Sequence, residues 1–125
     1  MNRHVLVVDD SATIRKFVSV SLGMQGFQVV TACDGMDALE KLPTAKFDLV
    51  ITDLNMPNMD GFGLIRALRD NPEYREIPVV ILTSLGDEAN RDLGTRLGVM
   101  SYILKPFSLE KIRYEVSKYL DWSDN

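Results

Sequence analysis

Four apolar runs in this chain end on groups that can do chemistry. Phe47-Asp48-Leu49-Val50-Ile51-Thr52 ends at Asp53, which opens the loop Asp53-Leu54-Asn55-Met56-Pro57-Asn58-Met59-Asp60-Gly61. Val5-Leu6-Val7-Val8 ends at Asp9-Asp10, Val79-Val80-Ile81-Leu82 at Thr83-Ser84, and Tyr102-Ile103-Leu104 at Lys105-Pro106. If these runs are parallel strands, their C-terminal ends share one edge, where open α/β sheets bind ligands. Three carboxylates, a hydroxyl and an ammonium would then converge in a site for a divalent cation and a phosphoryl group.

Electrostatics narrows the cation. Two unit charges about 4 Å apart interact by roughly 4 kcal/mol at an effective dielectric of about 20. Asp9, Asp10 and Asp53 therefore repel one another unless a cation joins them, and Lys105 offsets only part of this. Oxygen donors alone suit Mg²⁺, which takes few carboxylates and keeps several waters. Cys33 is the one thiol and His4 the one imidazole, which argues against structural zinc. His4 reads simply as a residue leading into the first strand.

A carboxylate in such a site can act as nucleophile and form an acyl phosphate. Transfer then depends on positioning and charge neutralisation. Mg²⁺, the Lys105 ammonium and the Thr83 hydroxyl are suited to take one terminal phosphoryl oxygen each, and the small Ser84 keeps the approach open. Each residue taken singly also has a plain reading. Asp9-Asp10 can serve the N-terminus of the following helix, Asp53 can feed a turn, and Thr83 and Lys105 can be strand-end residues with solvated tips. Their joint position on four strand ends favours the site.

The elements that must position these residues alternate five times between short apolar runs and helical patterns. Val5–Val8 is followed by a helix with Ile14, Phe17, Val18 and Leu22 inward. Phe27–Ala32 is followed by a short helix from Asp34-Gly35, with Met36, Leu39 and Leu42 inward and Pro43 as its stop. Phe47–Thr52 precedes a helix over Gly61–Asp70 with Phe62, Ile65 and Leu68 facing in. Ile77–Leu82 precedes a helix between Gly86 and Gly98 with Ala89, Leu93 and Leu97 inward. Met100–Leu104 precedes a helix capped by Ser108 and carrying Leu109, Ile112, Val116 and Leu120. Near-continuous Val/Ile/Leu runs mark strands buried on both faces, and the alternation predicts a doubly wound α/β fold, a five-stranded parallel sheet with helices on both sides. The helix between Gly86 and Gly98 is the weak one, since Gly94 in its middle costs roughly 0.5–1 kcal/mol relative to alanine.

Composition permits this fold and excludes several functions. At 125 residues and 46% hydrophobic content the chain is one domain, expected over 1–120, with Asp121-Trp122-Ser123-Asp124-Asn125 as a short tail and no output domain. The net charge of −4 is spread along the chain, so nucleic-acid binding is not expected. No apolar stretch approaches the roughly 20 residues of a membrane span. With a single cysteine and no room for a signal peptide before Val5, a cytoplasmic location is the expectation.

Val7-Val8-Asp9-Asp10, Asp53-Leu54-Asn55-Met56-Pro57 with Met59-Asp60-Gly61, Thr83-Ser84, and Tyr102-Ile103-Leu104-Lys105-Pro106-Phe107 together resemble the receiver domain of two-component response regulators. The resemblance covers residues 3 to 120 and is closest to stand-alone members of the chemotaxis type. It implies a flavodoxin-like (βα)5 sheet of strand order 2-1-3-4-5. It implies Asp53 as phosphoacceptor, with Asp10, Asp53 and the backbone carbonyl of Asn55 on Mg²⁺ and Asp9 acting through water. Lys105 and Thr83 would contact the phosphoryl group, and the bond before Pro106 would be cis. Tyr102 would be the aromatic whose rotamer follows Thr83, coupling the site to the face of the fourth helix, fifth strand and fifth helix. From periodicity alone, Tyr102 is a half-buried strand aromatic.

The implied function is a phosphorylation-activated signalling switch that catalyses only its own phosphorylation and dephosphorylation. A histidine kinase or phosphotransfer protein would be the donor and a downstream protein the target, with a monomer before activation. A phosphorylation-independent binding module, a relay intermediate and a phosphate sink are the alternatives. A phosphatase using an aspartate nucleophile fits less well, because the chain has Asp-Asp rather than Asp-x-Asp. Asn55 and Leu85 occupy the positions that tune phosphoryl loss in the family. Leucine cannot orient a water, so slow self-hydrolysis is expected. Gly98-Val99 and Ser101 also depart from the commoner family residues, away from the site.

Overall fold

The computed structural model describes residues 3–84 and 88–120. Five parallel strands, β1 (His4–Val8), β2 (Gln28–Ala32), β3 (Leu49–Thr52), β4 (Val79–Thr83) and β5 (Ser101–Leu104), form one sheet in the order β2-β1-β3-β4-β5. Each strand is followed by a helix: α1 (Ala12–Gly23), α2 (Gly35–Lys41), α3 (Gly61–Asp70), α4 (Glu88–Arg96) and α5 (Leu109–Ser117). This is the flavodoxin-like doubly wound topology expected above. Leu85 and the tail 121–125 lie outside the described residues.

Strand side chains alternate between two cores. Leu6, Val8, Val50 and Ile81 pack with residues of α2, α3 and α4 on one face. Val5, Val7, Leu49, Ile51, Val80, Leu82 and Ile103 pack with α1 and α5 on the other. The central strands β3 and β4 are buried throughout, which is why they read as unbroken apolar runs. The edge strands β2 and β5 bury fully only Ala32 and Ile103.

Several boundaries and helix faces differ from the sequence reading. The strand expected from Ile77 begins at Val79, because Pro78 has no N–H to give to the ladder and contributes only its carbonyl, to Val50 N–H. Phe27, Phe47 and Met100 fall just before their strands rather than within them. In α2, Met36 is 50% exposed while Gly35 and Ala38, and Leu42 just past the helix, face the core. The phase is set by Gly35, which sits so close to Met59 that a Cβ would lie 2.6 Å from Met59 Cγ. Phe17 is turned outward at 42% exposure, its ring resting against Phe107 at the edge of the α1–α5 layer. In α4, Ala89 is exposed, and Leu93 and Leu97 are only partly buried.

Candidate functional site

The parallel ladder continues one residue past the strands and so fixes the site residues by their backbones. Asp9 N–H donates to Ala32 O at 3.1 Å, Asp53 N–H to Val8 O at 2.9 Å, and Lys105 N–H to Thr83 O at 2.9 Å. Because β1 and β3 are adjacent, Asp9 and Asp53 are neighbours across the point where the strand order reverses, the usual ligand crevice of such sheets. Thr83 is the last residue of β4 and fully buried. Asn55 lies exposed in the loop that follows Asp53. The Lys105–Pro106 peptide bond is cis.

Asp9, Asp10 and Asp53 each offer a carboxylate oxygen within 4.8 Å of the others. Asp9 is fully buried and Asp53 nearly so, whereas Asp10 is exposed. Lys105 Nζ bridges the buried pair, at 2.8 Å from Asp9 Oδ2 and 3.3 Å from Asp53 Oδ2. The remaining oxygens of that pair are held by backbone, with Ser11 N–H donating to Asp9 Oδ1 at 2.9 Å and Leu54 N–H to Asp53 Oδ1 at 2.7 Å. Burial pushes the Asp9 carboxyl above its ordinary value, and the Lys105 and Ser11 hydrogen bonds pull it only partly back. Burial works against the Lys105 ammonium too, yet its hydrogen bond to Asp9 and the charges of Asp9 and Asp53 raise its pKa. An all-oxygen, carboxylate-rich cluster with one ammonium on its wall fits a small hard divalent cation. Asp9 and Asp53 each engage one backbone N–H and Lys105, whereas Asp10 stands exposed at the rim of the cluster.

The loop carrying Asp53 is clamped from outside by residues that sequence reasoning did not single out. Asp34 caps α2 by accepting from Asp37 N–H at 2.8 Å, and its other oxygen accepts from Asn58 Nδ2 at 2.6 Å. Asn58 itself is left-handed, with φ +66. Gly35 N–H donates to Met59 O at 3.1 Å, so the loop after β3 rests on the junction after β2. At the loop's end, a Cβ on Gly61 would overlap the Asp53 carbonyl oxygen. Arg15 Nη1 donates to the Asp9 carbonyl at 2.7 Å, tying α1 to the same edge. Asn58 within a turn run and Gly61 opening a helix were the only available signals for these roles.

On the far side of the site, Tyr102 of β5 is partly buried beneath α4. Its hydroxyl donates to the Asn90 carbonyl, its ring lies against Gly94, and the Arg91 guanidinium stands 5.3 Å from the ring centroid. The C-terminal end of α4 is held by Arg69 of α3, which donates to Leu97 O at 2.9 Å and Gly98 O at 3.2 Å, and also to Ile77 O at 2.8 Å. Ser101, at the start of β5, donates to the buried Glu115 of α5. An aspartate at 101 would face that carboxylate, which accounts for serine in this chain.

Comparison with known proteins agrees with this geometry. A Vibrio cholerae chemotaxis protein, CheY4, has a solved structure that superposes with a TM-score of 0.91 at 37% identity, covering 96% of this chain and 100% of that one. The probable chemotaxis protein CheY of Rhizobium etli is 39% identical over 110 residues, 87% of this chain and 85% of that protein. The probable transcriptional regulator ycf27 of Cyanophora paradoxa is 38% identical over 123 residues, 98% of this chain but 50% of that protein. The chain thus spans about half the length of the transcriptional regulators it matches. Residues 5–117 match the response regulator receiver domain, and the chain belongs to that family.

Proposed function

We propose that this protein is a phosphorylation-activated signalling switch, with Asp53 as its phosphoacceptor and a histidine kinase or phosphotransfer protein as the donor. The observation that carries the reading is Lys105 bridging Asp9 and Asp53 inside an oxygen cluster no wider than 4.8 Å. In the transfer, an Asp53 carboxylate oxygen attacks phosphorus, the P–N bond to the donor imidazole breaks, and the imidazole nitrogen keeps the electron pair and takes a proton. Asp10, Asp53 and the Asn55 carbonyl would hold Mg²⁺, with Asp9 acting through water. Bound there, Mg²⁺ supplies charge neutralisation to the transferring group. Lys105 and Thr83 contact the remaining phosphoryl oxygens.

The acyl phosphate adds negative charge and three strong acceptors at the sheet edge. Thr83 moves toward them, the space it leaves favours an inward Tyr102, and the α4–β5–α5 face changes its preference for a downstream protein. The protein is a switch and not an enzyme acting on an external substrate. Residues 1–120 form the receiver and 121–125 its tail. A cytoplasmic location belongs to this reading, and among the described residues no helix is long and apolar enough to cross a membrane.

Intact mass after incubation with acetyl phosphate tests this reading. Wild type should gain one phosphoryl group only with Mg²⁺, and Asp53→Asn should gain none. An equal adduct on Asp53→Asn, or no adduct and no beryllofluoride binding in wild type, refutes it.

A further inference from the structure

Glycine inside a helix is unfavourable, and Gly94 is the buried residue of α4. The structure supplies a reason for it. A Cβ at position 94 would lie 2.7 Å from the Tyr102 hydroxyl oxygen and 2.8 Å from Tyr102 Cε2, separations that side-chain carbons do not adopt. The missing methyl is therefore a notch, and the Tyr102 ring occupies it. Two further contacts come from the preceding turn of the same helix. The Asn90 carbonyl accepts from the Tyr102 hydroxyl, which a helical carbonyl can do through its second lone pair. The Arg91 guanidinium covers the ring at 5.3 Å from its centroid, within reach of a cation–π interaction. Positions 90, 91 and 94 share one helical face by the spacing of a turn.

We propose that Asn90, Arg91 and Gly94 form a seat on α4 that holds Tyr102 inward, and that Gly94 is its positioning residue. The seat keeps the inward rotamer populated in the unmodified protein. Its regulatory consequence rests on the switch reading above: if the phosphorylated form needs Tyr102 inward, a chain with a built-in seat has part of that rearrangement already made. Reciprocity requires that whatever favours the inward ring also favours the phosphorylated state. A methyl at position 94 acts oppositely. It improves the helix but evicts the ring, and these two effects are separable by experiment.

The test is a double-mutant cycle on the full chain with Gly94→Ala, Tyr102→Ala and the pair. In the native background Gly94→Ala should lower the thermal midpoint. In the Tyr102→Ala background, where no ring is displaced, the same change should raise it. NMR of the wild type should show cross-relaxation between the Tyr102 ring protons and Gly94 Hα, a measurement that needs no variant. Beryllofluoride with Mg²⁺ then reads the regulatory consequence, and its apparent affinity should fall by about fivefold in Gly94→Ala. A midpoint raised equally in both backgrounds, or absent ring-to-Gly94 cross-relaxation, overturns the seat. Equal beryllofluoride affinity in wild type and Gly94→Ala overturns its regulatory role. If wild type binds no beryllofluoride while the cycle reverses sign, the seat stands and the switch reading fails, so the two failures are distinguishable.

Discussion

Asp10 is the exposed member of a cluster whose other two carboxylates are buried, so it adds repulsion to the metal-free protein without a packing role of its own. Asp10→Ala should therefore raise the metal-free thermal midpoint and abolish stabilisation by Mg²⁺. In wild type that stabilisation should be about 2.7 kcal/mol at a hundredfold excess over the dissociation constant. Melts of both proteins with and without MgCl₂ decide it, and an undiminished Mg²⁺ response in the variant would remove Asp10 from the ligand set. Asn58 poses a different problem, since it combines a left-handed backbone with the hydrogen bond to Asp34. Asn58→Ala loses the bond and places an alanine at positive φ, whereas Asn58→Gly loses only the bond. Alanine should be the more destabilising by about 1 kcal/mol, the left-handed cost of an L residue, and urea unfolding would show it. Both replacements should also slow phosphorylation at Asp53, because the loop loses its clamp.

Helices in this fold are joined to the sheet by a few polar contacts as well as by apolar packing. Glu115 of α5 is the clearest case, buried and receiving Ser101, Lys111 and Lys118. Burial opposes its charge, but those three donors together hold its pKa below the ordinary 4.5. The unfolded chain then binds the proton more readily at acid pH. The stability contributed by this carboxylate is present above 4.5 and is lost as pH falls through the lower folded value. Glu115→Gln should thus be destabilising by about 2–3 kcal/mol at neutral pH, with the gap to wild type closing as the pH falls from 4.5 through the lower folded value. A thermal-melt series across acid pH checks this, and a gap that stays constant would mean the charge contributes nothing. Nothing in the sequence distinguishes Glu115 from an ordinary solvated residue paired with Lys111 one turn earlier. The clustering of Asp9, Asp10, Asp53 and Lys105 was legible for the opposite reason, because strand ends are visible as apolar runs and parallel ends must share an edge. Met36 misled because its side chain fits the apolar period, while the helix phase was set by a glycine contact 24 residues away in sequence, at Met59.

Burial is distributed across the molecule in a gradient from the sheet centre to α4. The sheet centre is closed on both sides, with β3 and β4 buried throughout and β1 buried after its first residue. On the same layer, α3 buries Gly61, Phe62, Leu64, Ile65 and Leu68, whereas α4 fully buries only Gly94. Segments with little buried apolar surface open at a small fraction of the global unfolding free energy. The acidic edge and the α4–β5–α5 face therefore meet at β4–β5, one side anchored in the core and the other, less buried, held by Tyr102 and Arg69. Native-state hydrogen exchange should resolve this. Amides of Val50 and Ile51 should exchange only through global unfolding and become steadily less protected as urea is added. Amides of Leu93 and Gly94 should open locally, with an opening free energy smaller by at least about 3 kcal/mol and nearly independent of low urea. If instead both sets share one opening free energy and one urea dependence, the domain is a single cooperative unit. The α4–β5–α5 face could then rearrange only as a rigid shift against an intact core, with no part played by local opening of α4.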